Sequence, residues 1–362
     1  MAKAPAAEVI VPGPDGDRPV RVSSPDRIIY PATDLTPEVS KLQVAQYFAA
    51  VGEPLLAAIG DRPTALERWP GGVHPGGRLA QGPQDKDADG FYQKRMMKGA
   101  PEYAQTVRIA FPSGRPADEL CPSEIAIPVW CAQMGTITFH PWPVRSADVD
   151  HPDELRIDLD PQPGTDFHDA VRVAGIAREL ADDLGLRAYC KTSGNRGVHV
   201  FIRIAPRWDF VDVRHAAIAF GRELEKRDSG VTTAWWKEER GERIFVDYNQ
   251  NSRDRTIASA WSLRAVQGAT VSTPLTWDQL AVLKDPHELN LFTVPERLAD
   301  GNPWAGMDEV AHDLTPLLDL WEQHPVELNY PPDYPKMPGE PPRVQPSKKV
   351  AEHWDAEGNR IE

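Results

Sequence analysis

Cysteine is scarce: the chain has three among 362 residues, Cys121, Cys131 and Cys190. So few, and an odd number, cannot supply a disulfide framework for a chain this long, and they point to a reducing compartment. No close Cys-x-x-Cys pair occurs, so Cys121, Cys131 and His140 make a weak zinc set beside the plainer reading of buried thiols. Long apolar runs are missing as well. Nothing approaches the ~20 uninterrupted apolar residues of a membrane span, and Met1 to Gly13 lacks the basic-then-apolar layout of a secretory signal. A cytoplasmic protein with no membrane partner is expected. Positive charge is in short supply: 40 Lys and Arg stand against 54 Asp and Glu, a net of −14. The molecule as a whole repels phosphate backbones, which excludes a general DNA-coating role and leaves room for a local basic site.

What is present suits a packed protein with a sizeable core: 41% apolar and 26% charged residues. Residues 1–22 are polar and punctuated by Pro and Gly, and 330–362 form a proline-rich charged tail; both read as arms around a core of 23–329. Apolar residues at helical spacing from Lys41 to Ile59, interrupted by Gly52 and Pro54, predict a kinked helix or two short ones. Strands are expected at Thr64–Trp69, Thr106–Ala110, Ile125–Cys131 and Thr136–His140, with a long surface loop over 70–90. LRIDLD from Leu155, then PQPGTD, then an amphipathic run reads as strand, turn and helix, capped by Asp166 or Thr165 and stopped by Gly185. RAYCKTSGNRGVHVFIRI follows as two strands around a glycine turn, and a helix runs from about Asp209 to Lys226. Strands at Arg243–Tyr248 and Ile257–Leu263 and helices at Pro274–Leu283 and Asp308–Leu320 complete the reading. Without a regular βαβ register, the fold class is α+β rather than a doubly wound sheet.

Five pieces of this sequence are candidates to carry chemistry. In Arg156-Ile157-Asp158-Leu159-Asp160 the side chains alternate, so Asp158 and Asp160 share one face while Ile157 and Leu159 enter the core. Like charges that close call for a cation or a raised pKa, and hard oxygen ligands at a strand end suit Mg²⁺ or Mn²⁺; the plainer reading is a solvated strand end. Asp247 closes a second apolar strand and would complete a three-carboxylate site able to hold two divalent ions, although a lone strand-terminal Asp is commonly a turn former. Lys191 to His199, KTSGNRGVH, is a candidate phosphate cradle: two glycines free the backbone N–H groups, Ser193 adds a hydroxyl, Lys191 and Arg196 add charge, and His199 sits on the outgoing strand. The GxxxxGK[ST] pattern does not fit it, and a charged hairpin turn is the bland alternative. Arg264 has the fork to clamp a triphosphate, against a structural ion pair. Phe91 and Tyr92, followed by Lys94, set aromatic faces beside cations, as a nucleic-acid template requires.

Together these motifs resemble the archaeo-eukaryotic primase superfamily, specifically the polymerase domain of bacterial DNA ligase D and its stand-alone relatives. The ordered landmarks are SSPDRIIYP, SKLQVAQYF, LERWP, GFYQK, ITFHPW, RIDLD, KTSGNRGVHVF, IFVDYNQN, SLRA and VSTPLTW, over roughly residues 23–280. The resemblance implies two β-sheets flanked by helices with the catalytic cleft between them, divided into an N-terminal α/β part, 23–150, and an RRM-like catalytic part, 151–329. It implies Asp158, Asp160 and Asp247 as metal-binding catalytic acids, Ser193, Arg196, His199 and Arg264 on the triphosphate, and His140 near the nucleotide sugar. Phe91 and Tyr92 would stack on the template with Lys94 beside them. Ser24, Arg27 and Lys41 would meet the 5′-phosphate of the downstream strand, Ser24 standing where relatives carry Asn. The implied activity is a repair polymerase or primase-polymerase that adds an NTP or dNTP to a primer 3′-hydroxyl at short gaps or ends with Mn²⁺ or Mg²⁺. With no room for a ligase module, a free-standing monomer is expected, its partners gapped or end DNA, a separate DNA ligase and end-joining factors. A metal-dependent nuclease and a non-catalytic DNA-end-binding module stay open beside this reading.

Overall fold

A computed structural model of the chain describes residues 5–80, 84–110, 116–235 and 237–323. The chain opens with a hairpin, β1 (Ala7–Val11) and β2 (Arg18–Val22), then β3 (Ile28–Tyr30) and β4 (Val39–Ser40). Two helices follow, α1 (Lys41–Ala50) and α2 (Gly52–Ile59), bent 75° apart where Gly52 and Pro54 interrupt the run. A sheet is then built from β5 (Thr64–Arg68), β6 (Phe91–Gln93), β7 (Gln105–Ala110), β8 (Pro116–Cys121) and, after helix α3 (Ala126–Gln133), β9 (Thr136–Pro141). In it β5 pairs with β6, β8 and β9, and β8 pairs with β7.

The second half is β10 (Glu154–Pro161), α4 (Phe167–Asp183), β11 (Ala188–Thr192), β12 (Val198–Arg203), α5 (Phe210–Arg227), β13 (Val231–Thr232), α6 (Lys237–Arg240), β14 (Ile244–Val246), β15 (Pro274–Leu275) and α7 (Trp277–Val282). Its six strands run in the order β13-β14-β10-β12-β11-β15. The local chemistry explains the elements that bracket the site. Asp166 accepts from the amides of His168 and Asp169 to cap α4, and Gly185 takes φ +70° just past its end, where a Cβ would be strained. Asp209 caps α5 in the same way. A single apolar cluster runs through both halves, from Val9 and Phe48 to Ile157, Val200 and Leu263.

Several expectations are corrected. Residues 7–22, read as an arm, are a hairpin whose Val9, Val11, Val20 and Val22 are buried; two strands in which buried valines alternate with exposed residues find their apolar partner on α1 and α3. Ile125–Cys131, read as a strand, belongs to helix α3, where every residue from Ala126 to Ala132 is buried, so no period could show. Pro128 is tolerated because it sits in the first turn, where amides lack helical partners. Ile257–Leu263 is an extended connector and not a strand: Trp261 adopts φ +64°, which breaks the run. Pro274–Leu283 divides into β15 and α7, with Thr276 capping the helix, and Asp308–Leu320 is helical only within α9 (Thr315–Gln323). The tail, 330–362, lies outside the described residues.

Candidate active site

The sheet register assembles the site. β12 pairs with β10 so that His199 lies opposite Asp158, and β11 pairs with β12 so that Lys191 lies opposite His199. On the other side β14 pairs Val246 with Leu159, and one step on, the Asp247 amide donates to the Asp158 carbonyl at 2.9 Å. Directly opposed residues share a face, so Asp247, Asp158, His199 and Lys191 form one row across four strands, with Asp160 two residues along. Asp247, far along the chain from Asp158 and Asp160, therefore meets them on one patch.

Their electrostatics follow from that crowding. Burial, then the charges of Asp247 and Asp160, push the Asp158 carboxyl well above the usual carboxylate range. Burial likewise raises Asp247, against hydrogen bonds from Gln250 and the Asn249 amide. Each acid has a holder: Gln162 Nε2 donates to Asp160 Oδ2 at 3.1 Å, Gln250 Nε2 to Asp247 Oδ2 at 2.9 Å, and His199 Nε2 stands 3.4 Å from Asp158 Oδ1. Among the described residues no three acidic, His or Cys side chains already form a metal-binding group. The donor set nonetheless fits a divalent cation: it is all hard oxygen, it is crowded, and a positive ion would relieve the repulsion that raises Asp158.

Beside the row lies the loop between β11 and β12. Ser193 Oγ accepts from the amides of Gly197 at 3.0 Å and Asn195 at 3.2 Å, which leaves its O–H free to donate outward. Gly194 has φ +75°, and a Cβ there would stand 2.5 Å from Cγ of Arg264, so only glycine lets that arginine lie across the loop. Arg264 Nη1 donates to the Ser193 carbonyl at 2.8 Å. Arg196 is exposed at the loop tip. Lys191 is not part of this cradle: it is fully buried behind His199, 2.7 Å from Nδ1.

The first sheet supplies the opposing wall. His140 on β9 and Tyr92 on β6 stand edge to face at 5.2 Å, and Glu67 on β5 accepts from His140 Nε2 at 3.1 Å and Trp69 Nε1 at 2.8 Å. Burial, then the charges of Arg264 and Lys191, keep His140 below its ordinary value despite Glu67, so the ring is neutral. Burial works upward on Glu67, but the bonds from His140 and Trp69 outweigh it and the carboxylate stays ionised. Arg264, which donates to the loop of the second sheet, follows directly on Leu263, whose carbonyl accepts from the first sheet, so the two sheets meet at this arginine. The connector expected as a strand ties them: Ser259 N donates to the Phe139 carbonyl at 2.8 Å, and Thr138 Oγ1 donates to the Leu263 carbonyl at 2.7 Å. Glu67 carried a sequence signal that was passed over, an acid inside the buried strand of LERWP.

Two expectations for the DNA side change. Phe91 and Tyr92 do not make one stacking platform, since neighbours on a strand face opposite ways: Tyr92 turns to His140, whereas the Arg68 guanidinium covers Phe91 at 5.2 Å. Lys94 is engaged, paired with Asp254 at 2.5 Å. Ser24, Arg27 and Lys41 do come together at the start of α1: the Arg27 amide donates to the Ser24 carbonyl at 3.1 Å, and the Lys41 amide to the Arg27 carbonyl at 2.8 Å. Lys41 Nζ donates to the Ser23 carbonyl at 2.9 Å, and burial, then the Arg27 charge, lower it to about 8. Ser24 holds φ +49°, a conformation asparagine accepts better than serine. The zinc alternative finds no support in its two thiols, both raised by burial, Cys121 to about 11 and Cys131 further still.

Strand-borne carboxylates beside a glycine-bordered loop, on the six-stranded wall of a two-sheet cleft, are an arrangement suited to nucleotidyl transfer. The family model described as the LigD primase-polymerase domain matches residues 40–304. The chain belongs to that family. It is 33% identical over 294 residues to the multifunctional non-homologous end joining protein LigD of Pseudomonas aeruginosa, covering 79% of this chain and 32% of that protein. It is 28% identical over 268 residues to LigD of Mycolicibacterium smegmatis, covering 72% of this chain and 32% of that one. The chain thus spans about a third of the length of these relatives. Among solved structures, the polymerase domain of Mycobacterium tuberculosis ligase D in complex with DNA superposes with a TM-score of 0.68 at 28% identity, covering 81% of this chain and 99% of that one.

Proposed function

We propose that this chain is an end-joining repair polymerase that adds an NTP or dNTP to a primer 3′-hydroxyl at short gaps or DNA ends. The observation that carries the reading is the row Asp247, Asp158, His199 beside the Ser193 to Gly197 loop, with Arg264 lying across it. In the reaction the 3′-oxygen bonds to the α-phosphorus, the bond to the bridging oxygen breaks, and pyrophosphate leaves. Asp158, Asp160 and Asp247 would hold Mn²⁺ or Mg²⁺, which acidifies the hydroxyl and offsets charge on the phosphates. Ser193 donates its O–H, and Arg196 and Arg264 bring positive charge to the triphosphate; His199 offers its Nε2 side. His140, held by Glu67 and covered by Tyr92, forms the wall for the sugar. Tyr92, the exposed aromatic of the pair, offers the template the free side of its ring, and Ser24, Arg27 and Lys41 gather the downstream 5′-phosphate at the α1 start.

The test is primer extension on gapped and blunt DNA with each metal and both nucleotide sugars. Asp158→Ala and Asp160→Ala are expected to keep the circular dichroism and melting cooperativity of the parent and to lose extension by at least about 10³-fold. Strand shortening in the absence of nucleotide would instead favour a nuclease. DNA affinity indifferent to divalent metal and to Asp158, with no extension, would favour an end-binding module.

A further inference from the structure

In the landmark SSPDRIIYP, Ser24 and Arg27 have a place at the α1 start, while the tyrosine has none, although Tyr30 is fully buried with its hydroxyl on the connector between the sheets. We propose that Tyr30 is a positioning residue for Arg264: its hydroxyl fixes the peptide from which the arginine reaches the loop between β11 and β12, and so sets nucleotide affinity without touching substrate.

Tyr30 Oη donates to the Arg264 carbonyl at 2.8 Å, between residues 234 apart in the chain. A carbonyl can only accept, so the hydroxyl is the donor whatever the charges around it. Burial raises the phenol well above its ordinary value, which keeps that proton in place through the neutral range. Arg264 is half-buried and begins a turn in which Gly268 and Ala269 take φ +86° and +49°. Its amide donates to the Thr270 carbonyl at 2.9 Å, a bond that closes the turn on itself and moves with it. The Tyr30 bond comes from outside, from β3, whose Ile28 and Tyr30 pair with Ser40 and Val39 just before α1. It therefore ties the turn to the body of the protein at the residue that matters. The Arg264 guanidinium, at the end of a long side chain, donates to the Ser193 carbonyl at 2.8 Å, and its Cγ crosses Gly194. A small rotation of the peptide at Arg264 would carry it off the loop. The far end of the turn is fastened to the same loop, since Thr270 Oγ1 donates to the Gly194 carbonyl at 2.5 Å. Tyr47 is the matched control: its buried hydroxyl donates to the Trp261 carbonyl at 2.9 Å on the same connector, at a residue given no part in holding the triphosphate.

The position of the arginine can be read without any assumption about the reaction; only the kinetic arm rests on the polymerase reading. Tyr30→Phe and Tyr47→Phe each remove one oxygen and keep the ring, and both are expected to fold with Tm within about 1–4 °C of the parent. The full chain is labelled with ¹⁵N-arginine, and the Nε–Hε correlation of Arg264 is assigned by its loss in Arg264→Lys. Tyr30→Phe is expected to shift or broaden that signal and Tyr47→Phe to leave it in place; an Arg264 signal untouched by Tyr30→Phe overturns the proposal. In primer extension, Tyr30→Phe is expected to raise nucleotide KM about three- to tenfold with kcat changed less than about twofold, whereas Tyr47→Phe leaves KM unchanged. In an Arg264→Lys background the effect of Tyr30→Phe on KM should be largely lost, since it acts through the arginine. An equal rise in KM from both tyrosine variants, or an undiminished effect in the Arg264→Lys background, makes Tyr30 a general brace and overturns the proposal. If the unmutated chain extends no primer, the polymerase reading fails while the spectrum still decides whether Tyr30 positions Arg264.

Discussion

Wedged between Asp247 and His199, the carboxyl of Asp158 is held well above its ordinary range by burial and by its two neighbouring acids, and this sets function against stability. A carboxyl whose folded pKa exceeds its unfolded value costs nothing below the unfolded value and destabilises increasingly as pH rises toward the folded one. Asp158→Asn removes that cost. At neutral pH it is expected to raise Tm by about 2–4 °C while abolishing extension, a gain that disappears at pH 3.5. Mn²⁺ should raise the Tm of the parent and leave that of the variant nearly unchanged, as binding linkage requires. Lys41 gives the opposite sign. Its folded value of about 8 lies below that of a free lysine, so the charge available to a 5′-phosphate is lost as pH rises through that region. The preference for a 5′-phosphorylated over a 5′-hydroxyl downstream strand should fall several-fold between pH 7 and pH 9.5, and Lys41→Arg should flatten the dependence. Equilibrium binding by anisotropy at each pH checks both.

At the scale of elements, the loop between β11 and β12 works because one side chain is missing. Gly194→Ala would drive a methyl into Arg264 and into the Ser272 amide, 3.0 Å away, from a backbone at φ +75°. The expected cost is about 1–2 kcal/mol of stability together with at least a tenfold rise in nucleotide KM, because the arginine is displaced from the loop. Urea denaturation and extension kinetics on the same preparation measure the two effects. The loop, the acid pair and helices α4 and α5 were legible in the sequence because period, cap and glycine all pointed one way at Leu155–Lys226. Elsewhere the signals competed. Helix α3 is apolar on every side, so it has no period to read, and the β1–β2 hairpin resembles a polar arm until α1 and α3 cover its valines. The row of four depends on the pairing of β10 with β14, whose partners Leu159 and Val246 lie 87 residues apart, and no local pattern reports that Lys191 lies behind His199 rather than in front of the loop. Nor does a local pattern foretell that Tyr30 and Tyr47 reach across to the carbonyls of Arg264 and Trp261, at 2.8 and 2.9 Å, to hold the connector between the sheets.

For the whole molecule, a net charge of −14 must be reconciled with the polyanionic substrate of the proposed function. Many of the cations are already spent within the protein: Arg62, Arg145 and Arg203 converge on the buried Asp153, and Lys94 on Asp254. Arg27, Lys41, Arg196 and Arg264 are the cations proposed to meet phosphate at the cleft and the α1 start, so the proposed affinity for DNA rests on few phosphate contacts while the net charge of the molecule repels. With about three to four phosphates neutralised, log Kd against log salt should have a slope of roughly 3, and affinity should drop roughly 50-fold between 50 and 200 mM salt. Arg27→Ala should lower that slope by about 1 on gapped DNA bearing a downstream 5′-phosphate and leave it unchanged on a primer-template without a downstream strand, since the residue then has no phosphate to meet. Fluorescence anisotropy across a salt series on the two substrates measures both slopes. An equal loss on both would move Arg27 from the 5′-phosphate site to the general DNA path, and with it the assignment of the whole α1 start.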